Sequence, residues 1–209
     1  MKQIKALLFD MDGVLIDAKD WHYEALNKAL GLFGHQISRY DHLVTFDGLP
    51  TKKKLEMLTK ERGFPPGLHK FVNKLKQEYT IELIHKFCKP VFAHQYALSH
   101  LKRKGFKIAV CSNSIRQTID LMMQKSNLNN FIDLIVSNED VKNPKPNPEI
   151  YLQAMNYFGV APTESLIFED NQHGIEAANK SGGYLFKVGT PKDIEFHSIL
   201  KKIEEIEGL

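Results

Sequence analysis

The chain has 209 residues, 43% hydrophobic and 25% charged, enough apolar sequence to bury a core and too little charge for a disordered chain. That length accommodates one domain, or one core with a modest insertion, and excludes a multidomain assembly. Lys and Arg number 28 against 25 Asp and Glu, a formal net charge of +3, well short of the concentrated positive charge of a dedicated nucleic-acid binder. The 2 cysteines, Cys88 and Cys111, cannot form a disulfide framework and lack zinc-site spacing, so a reducing, cytoplasmic setting is expected.

The first apolar run, Ile4 to Phe9, ends at Asp10 and Asp12. It is too short for a signal peptide or membrane span and reads as a strand buried on both faces. From about residue 18 to 87 the pattern is helical: Trp21 to Leu32, Thr51 to Arg62 and Leu68 to Lys86, broken at Gly31 and Gly34, Gly48 to Pro50, and Gly63 to Gly67. The basic clusters Lys52 to Lys54 and Lys102 to Lys104 read as solvated helix faces. Four further apolar runs read as strands: Ile108 to Cys111, Leu134 to Val136, Leu166 to Phe168 and Tyr184 to Val188. Helical patterns at Ile115 to Lys125, Pro148 to Phe158 and Gly174 to Ser181 lie between them. This alternation predicts an α/β fold with a Rossmann-like open parallel sheet, formed by residues 1–17 and 88–209, carrying a small inserted helical cap domain at 18–87.

In such sheets ligands bind beyond the carboxyl ends of the strands, and there the sequence is polar. Asp10 and Asp12 end the first run, Ser112 and Asn113 the second, and Glu169 and Asp170 the fourth, while Lys145 follows the third. Two carboxylates this close repel each other and need a cation. Asp170, with Glu169 beside it, would complete an all-oxygen site suited to Mg²⁺. Ser112, backbone amides near Asn113 and Lys145 could surround a phosphoryl group. One aspartate could then act as nucleophile and the other as general acid and base.

These four segments, in this order, resemble the motifs of the haloacid dehalogenase superfamily, and Phe9 to Asp17 resembles the first motif of its β-phosphoglucomutase-like branch. Cys111 to Ser114, Lys145 to Pro148 and Phe168 to Ala178 supply the others, and the likeness extends over essentially the whole chain. The resemblance implies that Asp10 attacks phosphorus to form an aspartyl-phosphate and that Asp12 protonates the leaving group, then activates water. It further implies Mg²⁺ held by Asp10, the Asp12 carbonyl, Asp170 and Glu169, with Ser112, Asn113 and Lys145 at the phosphoryl oxygens. His22, Thr51 and Lys76 fall where caps of this kind contact substrate. Ala18, Pro90-Val91 and Asn171 to His173 depart from the usual pattern without touching these groups. The expected activity is a Mg²⁺-dependent phosphatase acting on a small sugar, polyol or related metabolite phosphate. A β-phosphoglucomutase-type sugar phosphomutase is the alternative. No nucleic-acid or membrane partner is expected, and a monomer is, because the cap itself covers the site.

Overall fold

A computed structural model describes residues 3–208; Met1, Lys2 and Leu209, at the ends of the predicted core segments, lie outside the described residues. Strand β1 (Ala6–Phe9) is buried along its whole length. Its apolar run leaves no polar face to solvate, so it must lie between two layers of helix. The chain then leaves the sheet for α1 (Lys19–Gly31), the short α2 (Arg39–Asp41), a π-helical turn at His42–Phe46, α3 (Thr51–Arg62) and α4 (His69–Phe87). Leu26, Leu30, Ile37, Phe46, Leu55, Leu58, Phe64 and Val72 form a buried cluster of these helices' own. Gly63, in the left-handed region at φ 67°, closes α3, the C-terminal signal that glycine provides best.

The chain re-enters through α5 (Phe92–Arg103), followed by β2 (Lys107–Cys111), α6 (Arg116–Lys125), β3 (Leu134–Val136), α7 (Glu149–Phe158), β4 (Ser165–Glu169), α8 (Gln172–Ser181), β5 (Tyr184–Lys187) and α9 (Phe196–Glu207). All five strands are parallel, in the order β3-β2-β1-β4-β5. Alternate strand residues serve opposite faces. Leu7, Phe9, Ile108, Val110, Leu166 and Phe168 pack with Leu98 and Leu101 of α5, Met122 and Met123 of α6, and Ile199 and Ile203 of α9. Ala6, Leu8, Ala109, Cys111 and Ile167 pack with Ile150, Tyr151 and Ala154 of α7 and Ala177 and Ala178 of α8. Each large apolar side chain so buried contributes about 1.5–3 kcal/mol. Among the described residues no helix is long and apolar enough to cross a membrane.

Among the described residues three helices, the short α2 and the longer α5 and α9, lie outside the predicted set. In α5 the apolar positions do not mark the buried face: Ala97, Leu98 and Leu101 are buried, but Phe92 and Tyr96 are exposed. The expectation for Lys52 to Lys54 also needs correction. Lys52 and Lys53 are exposed, whereas Lys54 is 93% buried, with 7% relative exposure, beside buried Leu55 and Leu58. The helical step of about 100° per residue turns it inward, one turn after Thr51.

Candidate active site

Strand register gathers the polar groups. Pairing of Phe9 with both Val110 and Phe168 sets Asp10 beside Cys111 and Glu169, and the Asp10 amide donates to the Phe168 carbonyl at 3.0 Å. The Ser112 amide donates to the Val136 carbonyl at 3.0 Å. Beyond Asp12 the chain turns through Gly13 at φ +86°, where a Cβ would fall 2.0 Å from Asp170 Oδ2; this position requires glycine on both counts.

Lys145 is the hub beneath Asp10. Its ammonium donates to Asp10 Oδ1 at 2.6 Å, to Glu169 Oε1 at 2.6 Å and to the Cys111 carbonyl at 2.7 Å, which uses all three of its N–H groups. A direct phosphoryl contact would therefore require it to share or release one of these bonds. Its position is thus first that of a counter-ion to Asp10 and Glu169, and the two carboxylates hold its pKa above the ordinary 10.5 despite burial. Glu169 Oε1 also accepts from the Tyr151 hydroxyl, while Glu169 Oε2 accepts from the Asp170 amide at 3.3 Å. Helix α8 comes close enough for this arrangement because residue 174 is glycine: a Cβ there would lie 2.0 Å from the Glu169 carboxylate. Burial pushes the Asp10 carboxyl well up, Lys145 opposes the rise, and Glu169, Asp170 and Asp12 add to it.

Asp12 stands in different surroundings. His22 Nε2 lies 3.0 Å from its Oδ1, and the Ser114 hydroxyl donates to its Oδ2 at 3.0 Å. Lys76 Nζ lies 3.1 Å from His22 Nδ1. Because a lysine nitrogen donates there, Nδ1 accepts and the Nε2–H points to Asp12. Burial would raise the Asp12 pKa, but His22 and then Ser114 bring it below the ordinary value. Lys54 and Lys76 face the same pocket. Burial lowers Lys54 to about 8 and Lys76 to about 7, in the latter case helped by Lys54. Among the described residues neither lysine has an ion-pair partner within 4.0 Å. Lys76 has the His22 lone pair as its neighbour, and neither lysine has a carboxylate to neutralise it.

Asp10, Glu169 and Asp170 each offer an oxygen within 4.8 Å of the others. Asp170 Oδ2 is buried, and its charge is met by Lys19 Nζ at 2.6 Å. Three hard carboxylate oxygens converging in this way fit Mg²⁺. Above this cluster the insertion is seated on the core: the Asn113 amide donates to the Gly48 carbonyl at 2.7 Å, and His173 Nδ1 lies 3.1 Å from the Asp47 carbonyl.

The predicted residues Asp10, Asp12, His22, Thr51, Lys76, Ser112, Asn113 and Lys145 all line one pocket, with Glu169 and Asp170 against its base. The Asn113 side chain is engaged with Gly48 and with the Lys145 backbone, leaving its main chain for the predicted phosphoryl contact. Sequence reasoning passed over Lys19, His42, Asp47, Lys54, Ser114 and Tyr151. For Ser114 the signal was a second hydroxyl two residues after Ser112; for Tyr151 it was a polar-tipped aromatic one helical turn past the Lys145 loop.

The family model for haloacid dehalogenase-like hydrolases matches residues 7–188. The chain is 28% identical over 179 residues to a phosphorylated carbohydrates phosphatase of Thermotoga maritima, covering 86% of this chain and 82% of that one. It is 30% identical over 189 residues to pyrophosphatase PpaX of Bacillus cereus, covering 86% and 81%. A β-phosphoglucomutase structure from Clostridium difficile superposes with a TM-score of 0.84 at 24% identity, over 99% of this chain and 100% of that one, a likeness of fold.

Proposed function

The chain belongs to the haloacid dehalogenase-like hydrolase family and is a phosphatase within it, and from this premise we propose that it is a Mg²⁺-dependent hydrolase of a small phosphate monoester, acting through an aspartyl-phosphate on Asp10. The observation that carries this reading is the pair of carboxylates at the end of β1 in opposite surroundings: Asp10 clamped by Lys145 and Asp12 held by His22 and Ser114. Groups whose environments drive their pKa values apart take different chemical roles.

Asp10, fixed through Oδ1 by Lys145, presents its other oxygen to phosphorus. Attack forms the Asp10–phosphorus bond and breaks the bond to the leaving oxygen, which takes a proton from Asp12. The acid form of Asp12 is favoured once a phosphate dianion stands beside it. Asp12, returned to its anion and steadied by His22 and Ser114, then accepts a proton from the water that cleaves the aspartyl-phosphate. Ser112 and the main chain at Asn113 position the phosphoryl oxygens. When bound by Asp10, Glu169 and Asp170, Mg²⁺ supplies positive charge that keeps this cluster ionised and draws electron density from the phosphoryl group.

The helices from 18 to 87 serve as the cap, and their two lysines without a carboxylate partner, Lys54 and Lys76, suit a substrate carrying a second anionic or electron-rich group. The same lysines would suit a bisphosphate, which makes sugar phosphomutase activity the second reading. The test is inorganic phosphate release with and without Mg²⁺ from metabolite monoesters with and without a second anionic group, and from inorganic pyrophosphate. Hexose 1-phosphate interconversion is followed in parallel. Asp10→Asn should abolish turnover with the fold intact; turnover near the parent rate would remove Asp10 from the nucleophile role. Interconversion without net phosphate release would replace hydrolase by mutase.

A further inference from the structure

Lys19, the first residue of α1, reaches back into the acidic cluster. Its Nζ lies 2.6 Å from Asp170 Oδ2 and 3.3 Å from Asp47 Oδ2. The Asp170 oxygen is buried, with 2% side-chain exposure, and the ammonium is both its cover and its charge partner. Gly13 makes the room: a Cβ at residue 13 would fall 2.7 Å from Lys19 Cε. The backbone of Lys19 is tied to the insertion, with His42 Nε2 3.2 Å from its carbonyl.

Lys145 cannot take over this task, because its three N–H groups are committed to Asp10, Glu169 and the Cys111 carbonyl. Of the two cations in the cluster, Lys19 is the one free to move: its side chain is 29% exposed against 2% for Lys145. Its second carboxylate is already at hand, so passing from Asp170 to Asp47 needs only a side-chain rotation.

We propose that Lys19 is a built-in cation of this cluster, which a divalent metal must displace from Asp170 onto Asp47, so that Lys19 holds metal affinity down. A positive charge beside a divalent ion opposes its binding, and a cation already on the ligand oxygen competes for it. Asp47 serves as the landing place that keeps the displaced ammonium paired. The inference rests on the reading of Asp10, Glu169 and Asp170 as the metal site.

The experiment is a Mn²⁺ titration of substrate-free protein, followed by electron paramagnetic resonance, for wild type, Lys19→Met, Lys19→Gln and Asp47→Asn. Circular dichroism checks folding. Lys19→Met and Lys19→Gln should bind Mn²⁺ about tenfold or more tightly than wild type, and the metal should raise their melting temperature further. Asp47→Asn should bind more weakly, and less so in the Lys19→Met background than in wild type, the mark of coupled sites. Equal or weaker binding by both Lys19 variants overturns the proposal while leaving the metal site standing. An absence of saturable binding in wild type and variants alike overturns the metal site and this proposal with it.

Discussion

Replacing Gly174 with alanine sets two effects of known sign against each other. An alanine in place of glycine favours a helix by about 0.8–1 kcal/mol in its interior, and less at Gly174, which lies in the first turn of α8. Against this stands a Cβ only 2.0 Å from the Glu169 carboxylate, far inside contact distance. A surface glutamate would swing aside at little cost. Glu169 is fully buried and accepts from Lys145 Nζ at 2.6 Å and from the Tyr151 hydroxyl, so moving it gives up two strong bonds. At about 1.5–3 kcal/mol for each hydrogen bond to a charged group, the loss is about 3–6 kcal/mol, and the net destabilisation is about 2–5 kcal/mol. Equilibrium urea denaturation of the two purified proteins at neutral pH measures it directly. Since Lys145 also loses a partner, the variant should lose phosphatase activity as well. Stability within about 0.5 kcal/mol of wild type, the ordinary scatter of surface substitutions, would refute the claim that Glu169 is locked in place.

Lys145→Met leaves Asp10 and Glu169 facing each other without their shared cation and should cost about 3–5 kcal/mol of stability, read by the same denaturation; a near-native midpoint would show that the pair does not depend on Lys145. The pH profile tests the two pocket lysines. Each ammonium is charged below its pKa, about 7 for Lys76 and about 8 for Lys54. For an anionic substrate that they bind, kcat/KM should therefore fall as pH rises through these values. Lys76→Met should remove the lower of the two inflections. A profile flat to about pH 9 would place the lysines outside substrate binding.

The strand ends were legible because each apolar run stops where the chemistry begins: Asp10, Ser112 and Glu169 directly follow the uninterrupted apolar stretches Ala6 to Phe9, Ile108 to Cys111 and Leu166 to Phe168. Helix α3 was legible at both ends because Pro50 and Gly63 bracket it. Lys54 was not, because within three consecutive lysines only the helical phase decides which one turns inward, and that phase is set by packing against Val72 and Phe64 of the same cluster. Lys19 and Asp47 were hidden for a different reason. Their charges acquire meaning only when the insertion folds back on Asp170, a contact between segments more than 100 residues apart in sequence. Tyr151 carries the ordinary signature of a core aromatic, and its hydroxyl gains a task only through the register of β4 with α7.

On the proposed function, the seating of Asp47 and Gly48 on the core would act as a size filter expressed in free energy. A phosphate compound that fits beneath this segment leaves the Asn113 and His173 bonds to its carbonyls undisturbed. A longer one would bind only to the fraction of molecules in which they are broken, and its apparent affinity would be reduced by that fraction. Two such bonds at about 0.5–1.5 kcal/mol each amount to roughly five- to 150-fold in affinity. Discrimination between substrates of different length would then arise far from the phosphorus atom, with no clash needed at the reacting centre itself.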